Sequence, residues 1–233
     1  MHVFNIRARM YLVKTGHLRN TWDMPTTRIV KPKGSQRERT ELTCQKLLEA
    51  AEEIFVRDGF QAARLEDIAK HAGYTRGAFY ANFESKEDLF ITIAERQLRT
   101  VIEEIRAAVL SASGLDKKLK RLHDVVLNSG FGNRWAILLL EFSLFVLRKP
   151  KLKNKILAMR ERLYGEMESV FRDLYKAANR KPVISLSVIS SGFGGLLQGF
   201  ALDQKLDEKR MPLADISKLL NCYLNAIIAA GEA

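Results

Sequence analysis

Arg76, Gly77, Tyr80 and Ala81 are spaced to point away from the core on a short helix opened by Thr75, while Phe79 and Phe83, four apart, take the core-facing side. A threonine hydroxyl accepts a free amide at a helix start, and a guanidinium bonds guanine edges or phosphate. Glycine lets the backbone come close, and a phenol reaches a phosphate oxygen. Together these groups suit a DNA major groove. No paired carboxylates, nucleophile with base, or phosphate loop stands out, so an enzyme is not expected. Cys44 and Cys222 have no ligand spacing with His2, His17, His71 or His123, so neither a metal nor a cofactor is expected.

Such a face needs a scaffold. Residues 65–72 form a short helical stretch in which Ile68 supplies a core contact and Ala69 lets a second helix cross closely. Gly73 then provides a left-handed turn, and Thr75 caps a second helix over 75–83. The result is helix, tight turn, helix. Upstream, Cys44, Leu47, Leu48, Ala51, Ile54 and Phe55 keep helical time from Arg37 until Gly59 ends the stripe. Ser85 caps a long helix to Leu110, and five more follow over 115–128, 134–148, 150–178, 182–204 and 212–230. Pro150, Pro182 and Pro212 are each read as first-turn prolines. No strand pattern appears. The expected fold is all-α, about nine helices, with a three-helix helix-turn-helix unit (36–84) leading into a helical bundle (85–233).

The 233 residues carry 38 basic and 27 acidic side chains, a net charge of +11, which favours a polyanionic partner. That charge is uneven. Residues 1–40 hold nine basic and two acidic groups, so 1–35, broken by Pro25, Pro32 and Gly34, reads as a basic, disordered arm. Residues 41–90 hold six basic and ten acidic groups, yet Glu66 and Asp67 open a helix, where the dipole favours acids, and Arg64, Arg76 and Lys86 keep the groove side positive. The longest apolar run, Trp135 to Leu147, is far short of the roughly 20 residues of a bilayer span. With two cysteines and no secretory signal, a cytoplasmic location and no membrane partner are expected. The rival reading is a helical lipid- or ligand-binding protein whose basic arm meets an anionic membrane; the two-helix motif argues against it.

Ala50-Ala51, Phe55, Gly59-Phe60, Ile68-Ala69, Ala72-Gly73, Gly77, Phe79-Tyr80, Phe83 and Ser85-Lys86-Glu87-Asp88-Leu89-Phe90 occur in an order and spacing that resemble the TetR-type transcriptional regulators. The resemblance covers roughly residues 40–90. It implies a sequence-specific regulator, a repressor released by an apolar small molecule, with double-stranded DNA, the effector and a second copy of itself as partners. By motif position Thr75, Arg76, Gly77 and Tyr80 would touch DNA and Lys86 would hold a phosphate, with Arg64 and Asn82 completing the DNA-binding set. Arg64 stands where the family often has a hydroxyl, Asn82 where histidine is common, and Tyr74 where a small aliphatic is common.

For the second half, Trp135, Phe142, Phe145, Met159, Tyr164, Met167 and Phe193 form a candidate apolar effector wall. Glu141, alone in an apolar run, would meet a cationic ligand if it faces the cavity, and otherwise solvent or a helix end. Gly192, Gly195 and Gly199 share a helix face, and each glycine costs about 1 kcal/mol against alanine, so a close helix neighbour is expected there. The resemblance implies a dimer seam built from the last two helices, pairing that face with Leu220, Leu224 and Ile227.

Overall fold

The computed structural model describes residues 36–129 and 134–232; the basic arm at 1–35 lies outside the described residues. Among the described residues the chain is all-α, with nine helices: α1 Gln36–Ala62, α2 Leu65–His71, α3 Arg76–Tyr80, α4 Lys86–Leu110, α5 Leu115–Asn128, α6 Arg134–Leu147, α7 Pro150–Ala177, α8 Leu186–Leu206 and α9 Leu213–Ala229. The only extended pairing among them is an isolated bridge between Lys181 and Glu232.

Local chemistry explains most of these limits. Thr75 and Ser85 cap α3 and α4 by accepting the amides of Ala78 and Asp88. Gly73 takes φ +78 between α2 and α3, a left-handed value that L side chains adopt at a cost. A five-residue helix such as α3 has no stability of its own; Phe79, fully buried, holds it to the core.

Four boundaries differ from the sequence reading. Gly59, at φ 81 and ψ 165, breaks α1, but a further turn resumes to Ala62. The second motif helix stops at Tyr80, and Phe83 is reached through a turn in which its amide bonds the Phe79 carbonyl. Pro182 starts no helix. A proline disfavours helical geometry in the residue before it, and Lys181 is instead paired to Glu232 by two backbone bonds of 2.8 and 2.9 Å. The helix begins at Leu186, where the Ser185 hydroxyl accepts the Val188 amide. Pro212 stands just before α9 as its cap residue, whereas Pro150 opens α7 as expected.

Two apolar clusters make the core. The first joins α1, α2 and α3 to α4, α6 and the front of α7 through Phe55, Phe60, Phe79, Phe90, Phe142 and Met159. The second gathers the far ends of α4 and α7 with α5, α8 and α9 around Leu122, Phe171, Phe193, Leu220 and Leu224. Helix α4 runs through both, so the first three helices share packed side chains with the bundle.

Candidate nucleic-acid interface and ligand cavity

The turn between α2 and α3 leaves Thr75, Arg76, Gly77 and Tyr80 exposed on one side, opposite buried Phe79. Arg76 lies 3.0 Å from Glu66, donates a 3.4 Å bond to the Tyr80 hydroxyl and stacks its guanidinium over the Tyr80 ring at 5.5 Å. Both charges are well exposed, so the ion pair is worth about 0–1 kcal/mol and is cheaply exchanged for a phosphate or a base. A Cβ added at Gly77 would meet nothing closer than the Thr75 Oγ1 at 3.7 Å. The chain's own packing therefore does not demand glycine there.

The other residues of the expected DNA-binding set are placed differently. Arg64 precedes α2 and is exposed beside the motif. Asn82 is turned inward: its amide donates to the Ala78 carbonyl at 2.7 Å and its oxygen accepts the Cys44 thiol at 3.1 Å, tying the end of α3 to α1. Lys86 also works within the fold. Its ammonium donates to the carbonyls of Phe60, Gln61 and Ala63 at 2.8, 3.2 and 2.9 Å and sits 4.6 Å above the Phe60 ring. An ammonium has three donors, and three carbonyls occupy them. Burial pulls this lysine below its ordinary pKa, with Glu87 and Glu141 opposing the shift.

Glu141 meets a helix end. Because Gly59 breaks α1, the amides of Phe60 and Gln61 lose their usual acceptors one turn back, and Glu141 on α6 accepts both, at 3.4 and 3.1 Å. The same short turn thus has its amides held by a carboxylate of α6 and its carbonyls held by an ammonium of α4. Glu52 makes a second tie nearby, accepting from Arg96 and Gln97 of α4 and from the Trp135 indole of α6.

A cavity of about 160 Å³ lies between α4, α6, α7 and α8. Of the seven residues expected to form an effector wall, Phe142, Met159, Tyr164, Met167 and Phe193 line it. Trp135 and Phe145 do not: Trp135 packs on Phe90 at 5.7 Å and Phe145 on Phe60 at 5.1 Å, within the core that joins α6 to the motif helices. The sequence reading missed the α4 wall of Ala94, Leu98, Val101, Ile102 and Ile105, although its i, i+4, i+7, i+8 spacing was there to find. It also missed the polar lining residues Arg160, Ser143, Ser190 and Gln198.

The expected dimer residues separate into two groups. Gly192, Gly195 and Gly199 are exposed, and a Cβ at Gly195 or Gly199 would meet nothing within 4 Å. Leu220 and Leu224, by contrast, are 0% exposed in the chain's own core, and Ile227 is half-buried against it. Of the three α9 residues expected at a seam, Ile227 alone keeps part of its surface in the single chain. On α9 the outward stripe is Leu219, Cys222 and Ala226.

Residues 47–93 match the family described as "Bacterial regulatory proteins, tetR family". The HTH-type transcriptional regulator YfiR of Bacillus subtilis is 26% identical over 80% of this chain and 92% of its own length. Other curated relatives are matched over only 26% to 34% of theirs. Among solved structures, a TetR-family regulator of Mesorhizobium loti has a TM-score of 0.67 at 19% identity, covering 84% of this chain and 99% of that one. The regulator FadR of Bacillus subtilis, solved with stearoyl-CoA, has a TM-score of 0.61 at 18% identity over 77% of this chain and 96% of that one. No helix among the described residues is long and apolar enough to cross a membrane.

Proposed function

We propose that this chain, which carries the helix-turn-helix module of the tetR family at residues 47–93 and the two-part helical fold of its regulators, acts as a homodimeric repressor released by a small-molecule effector. The observation that carries the DNA-binding half is the exposed side of α3. Thr75, Arg76, Gly77 and Tyr80 are presented together on a helix fixed from behind by Phe79, and the one glycine among them is not required by the chain's own packing. Arg64, exposed and in no ion pair among the described residues, adds a cation at the edge of that face. Asn82 and Lys86 support it from within, and a phosphate contact by Lys86 would displace one of its three carbonyls.

The homodimer reading rests on an open small-residue face. Val188, Gly192, Gly195 and Gly199 form an exposed stripe on α8, and Leu219, Cys222 and Ala226 form one on α9. Ile227 lies at the border of this surface, with Leu220 and Leu224 beneath it. The effector reading rests on the cavity, whose apolar lining from α4 and α6 belongs to the same helices that grip the Gly59–Ala63 turn. A ligand that binds only one arrangement of α4 and α6 shifts the population of the DNA-competent form; one that binds both equally shifts nothing. A solved relative of the same fold, FadR, holds an acyl-CoA.

Selection of bound fragments from random double-stranded DNA tests this. A dimer reads two half-sites with its two α3 helices, so the expected outcome is a two-fold symmetric site with half-site centres about one helical turn apart. Affinity falls steeply with salt, because phosphate contacts release counterions. Enrichment of no sequence over input DNA overturns the reading.

A further inference from the structure

The effector reading says where a small molecule would sit but not what it is, and two polar groups in the cavity say more. Ser190 on α8 is 1% exposed, and its hydroxyl has no hydrogen-bond partner among the described residues. A helical serine ordinarily returns its proton to the carbonyl four residues back, as Ser143 across the cavity does to Leu139 at 2.7 Å. Leaving a buried hydroxyl unpaired costs about as much as a lost hydrogen bond, so such a group calls for a partner. Arg160 on α7 is the single charged residue of the lining and the single exposed one, which places it where the cavity meets the surface. Among the described residues no carboxylate lies within ion-pair distance of Arg160; its guanidinium donates to the Tyr164 hydroxyl at 2.6 Å and stacks near that ring at 5.1 Å. Gly194 lets the Tyr164 phenol lie against α8, with the hydroxyl 3.5 Å from where a Cβ would stand.

Among the described residues the cavity is therefore apolar in its body, carries an unused donor on one wall and a cation without an acid at its rim, and is lined by no anionic side chain. Glu141, the acid that could have drawn a cationic ligand, is bonded to the amides of Phe60 and Gln61 and is absent from the lining. We infer that the effector is a small anionic amphiphile: an alkyl or aromatic body in the cavity, an oxygen within reach of the Ser190 hydroxyl, and a carboxylate or similar anion paired with Arg160. Size narrows the class. An apolar cavity of about 150 Å³ takes one benzene ring, so at about 160 Å³ this one takes a single ring or a short alkyl chain, with anything longer running out past Arg160.

This inference rests on the effector reading of the cavity, and the test separates the two. Octanoate, octan-1-ol and octylammonium share one body and differ in the head, and calorimetric titration of the full chain without DNA reads binding alone. Octanoate is expected to bind about tenfold or more tightly than the alcohol, and the cation least. Arg160→Gln, at an exposed site that leaves the core untouched, should bring octanoate down to the level of the alcohol without changing the alcohol. Ser190→Ala should weaken both oxygen-bearing probes. Equal affinity of octanoate and the alcohol in the parent chain, preference for the cation, indifference to Arg160→Gln, or no binding of any probe overturns the anionic amphiphile. If octanoate binds with this pattern but leaves DNA binding unchanged, the ligand class stands and the release of repression fails.

Discussion

Phe60→Ala lowers the free energy of unfolding by about 3–5 kcal/mol, the range for removing a buried aromatic that its surroundings cannot replace. The size of the loss follows from position. Phe60 is 1% exposed and touches the rings of Phe55, Phe90, Phe142 and Phe145 at 5.7, 5.2, 4.7 and 5.1 Å, so it packs on α1, α4 and α6 at once. It also forms the floor under the Lys86 ammonium. Collapse cannot fill the gap without moving three helices that the Gly59–Ala63 turn holds in register. Urea denaturation followed by circular dichroism gives the number; a loss below about 1 kcal/mol would mean that the motif helices and α6 do not share a core.

The second large effect separates binding from response. Glu141→Leu leaves the part-buried Phe60 amide without its acceptor and the exposed Gln61 amide to water, which costs about 1 kcal/mol of stability, and cuts a polar tie between α6 and the motif helices. Since Glu141 does not line the cavity, octanoate should bind the variant as it binds the parent chain, while its ability to release DNA drops sharply. Calorimetry and a DNA-release titration on the same protein check both halves. Undiminished release would show that the signal travels through α4 and Lys86 alone.

Much of this was readable from the residues. Thr75 and Ser85 announced their helices because a hydroxyl before an apolar stripe satisfies free amides whatever the fold around it. Gly73 announced its turn, and the stripes of the long helices announced the all-α class. The boundaries that shifted were set by distant partners. Pro182 follows a residue paired to Glu232, and Gly59 breaks a helix that resumes only because Glu141, some eighty residues on, receives the freed amides.

Site residues were legible where their work is local and illegible where it is not. The outward side of α3 follows from four-residue spacing against Phe79. That Asn82 bonds Cys44, and that Lys86 serves three carbonyls at and just past the end of α1, depends on how α1 crosses α3 and α4. Helical stripes likewise separate buried from exposed, but not a core wall from a cavity wall. Trp135 and Phe142 sit on one apolar helix, and only the packing of α4 and α8 decides that Phe142 lines the cavity and Trp135 does not. The apolar stripe through Leu220 and Leu224 does not by itself say whether its cover is the same chain or another; both side chains are 0% exposed within this one.

The central claim is that α3 enters DNA, and Gly77→Leu tests it most directly. Leucine favours a helix over glycine by about 1 kcal/mol at an interior position, and the site is open, so thermal stability should hold or rise. The same side chain would stand between α3 and the base edges, where each well-made contact is worth about 1–3 kcal/mol, so affinity for the selected DNA should fall at least about tenfold. Fluorescence anisotropy with that DNA, beside a melting curve on the same sample, gives both readings. A stable variant with weakened binding is the predicted result; a stable variant that binds as tightly as the parent chain would contradict the account.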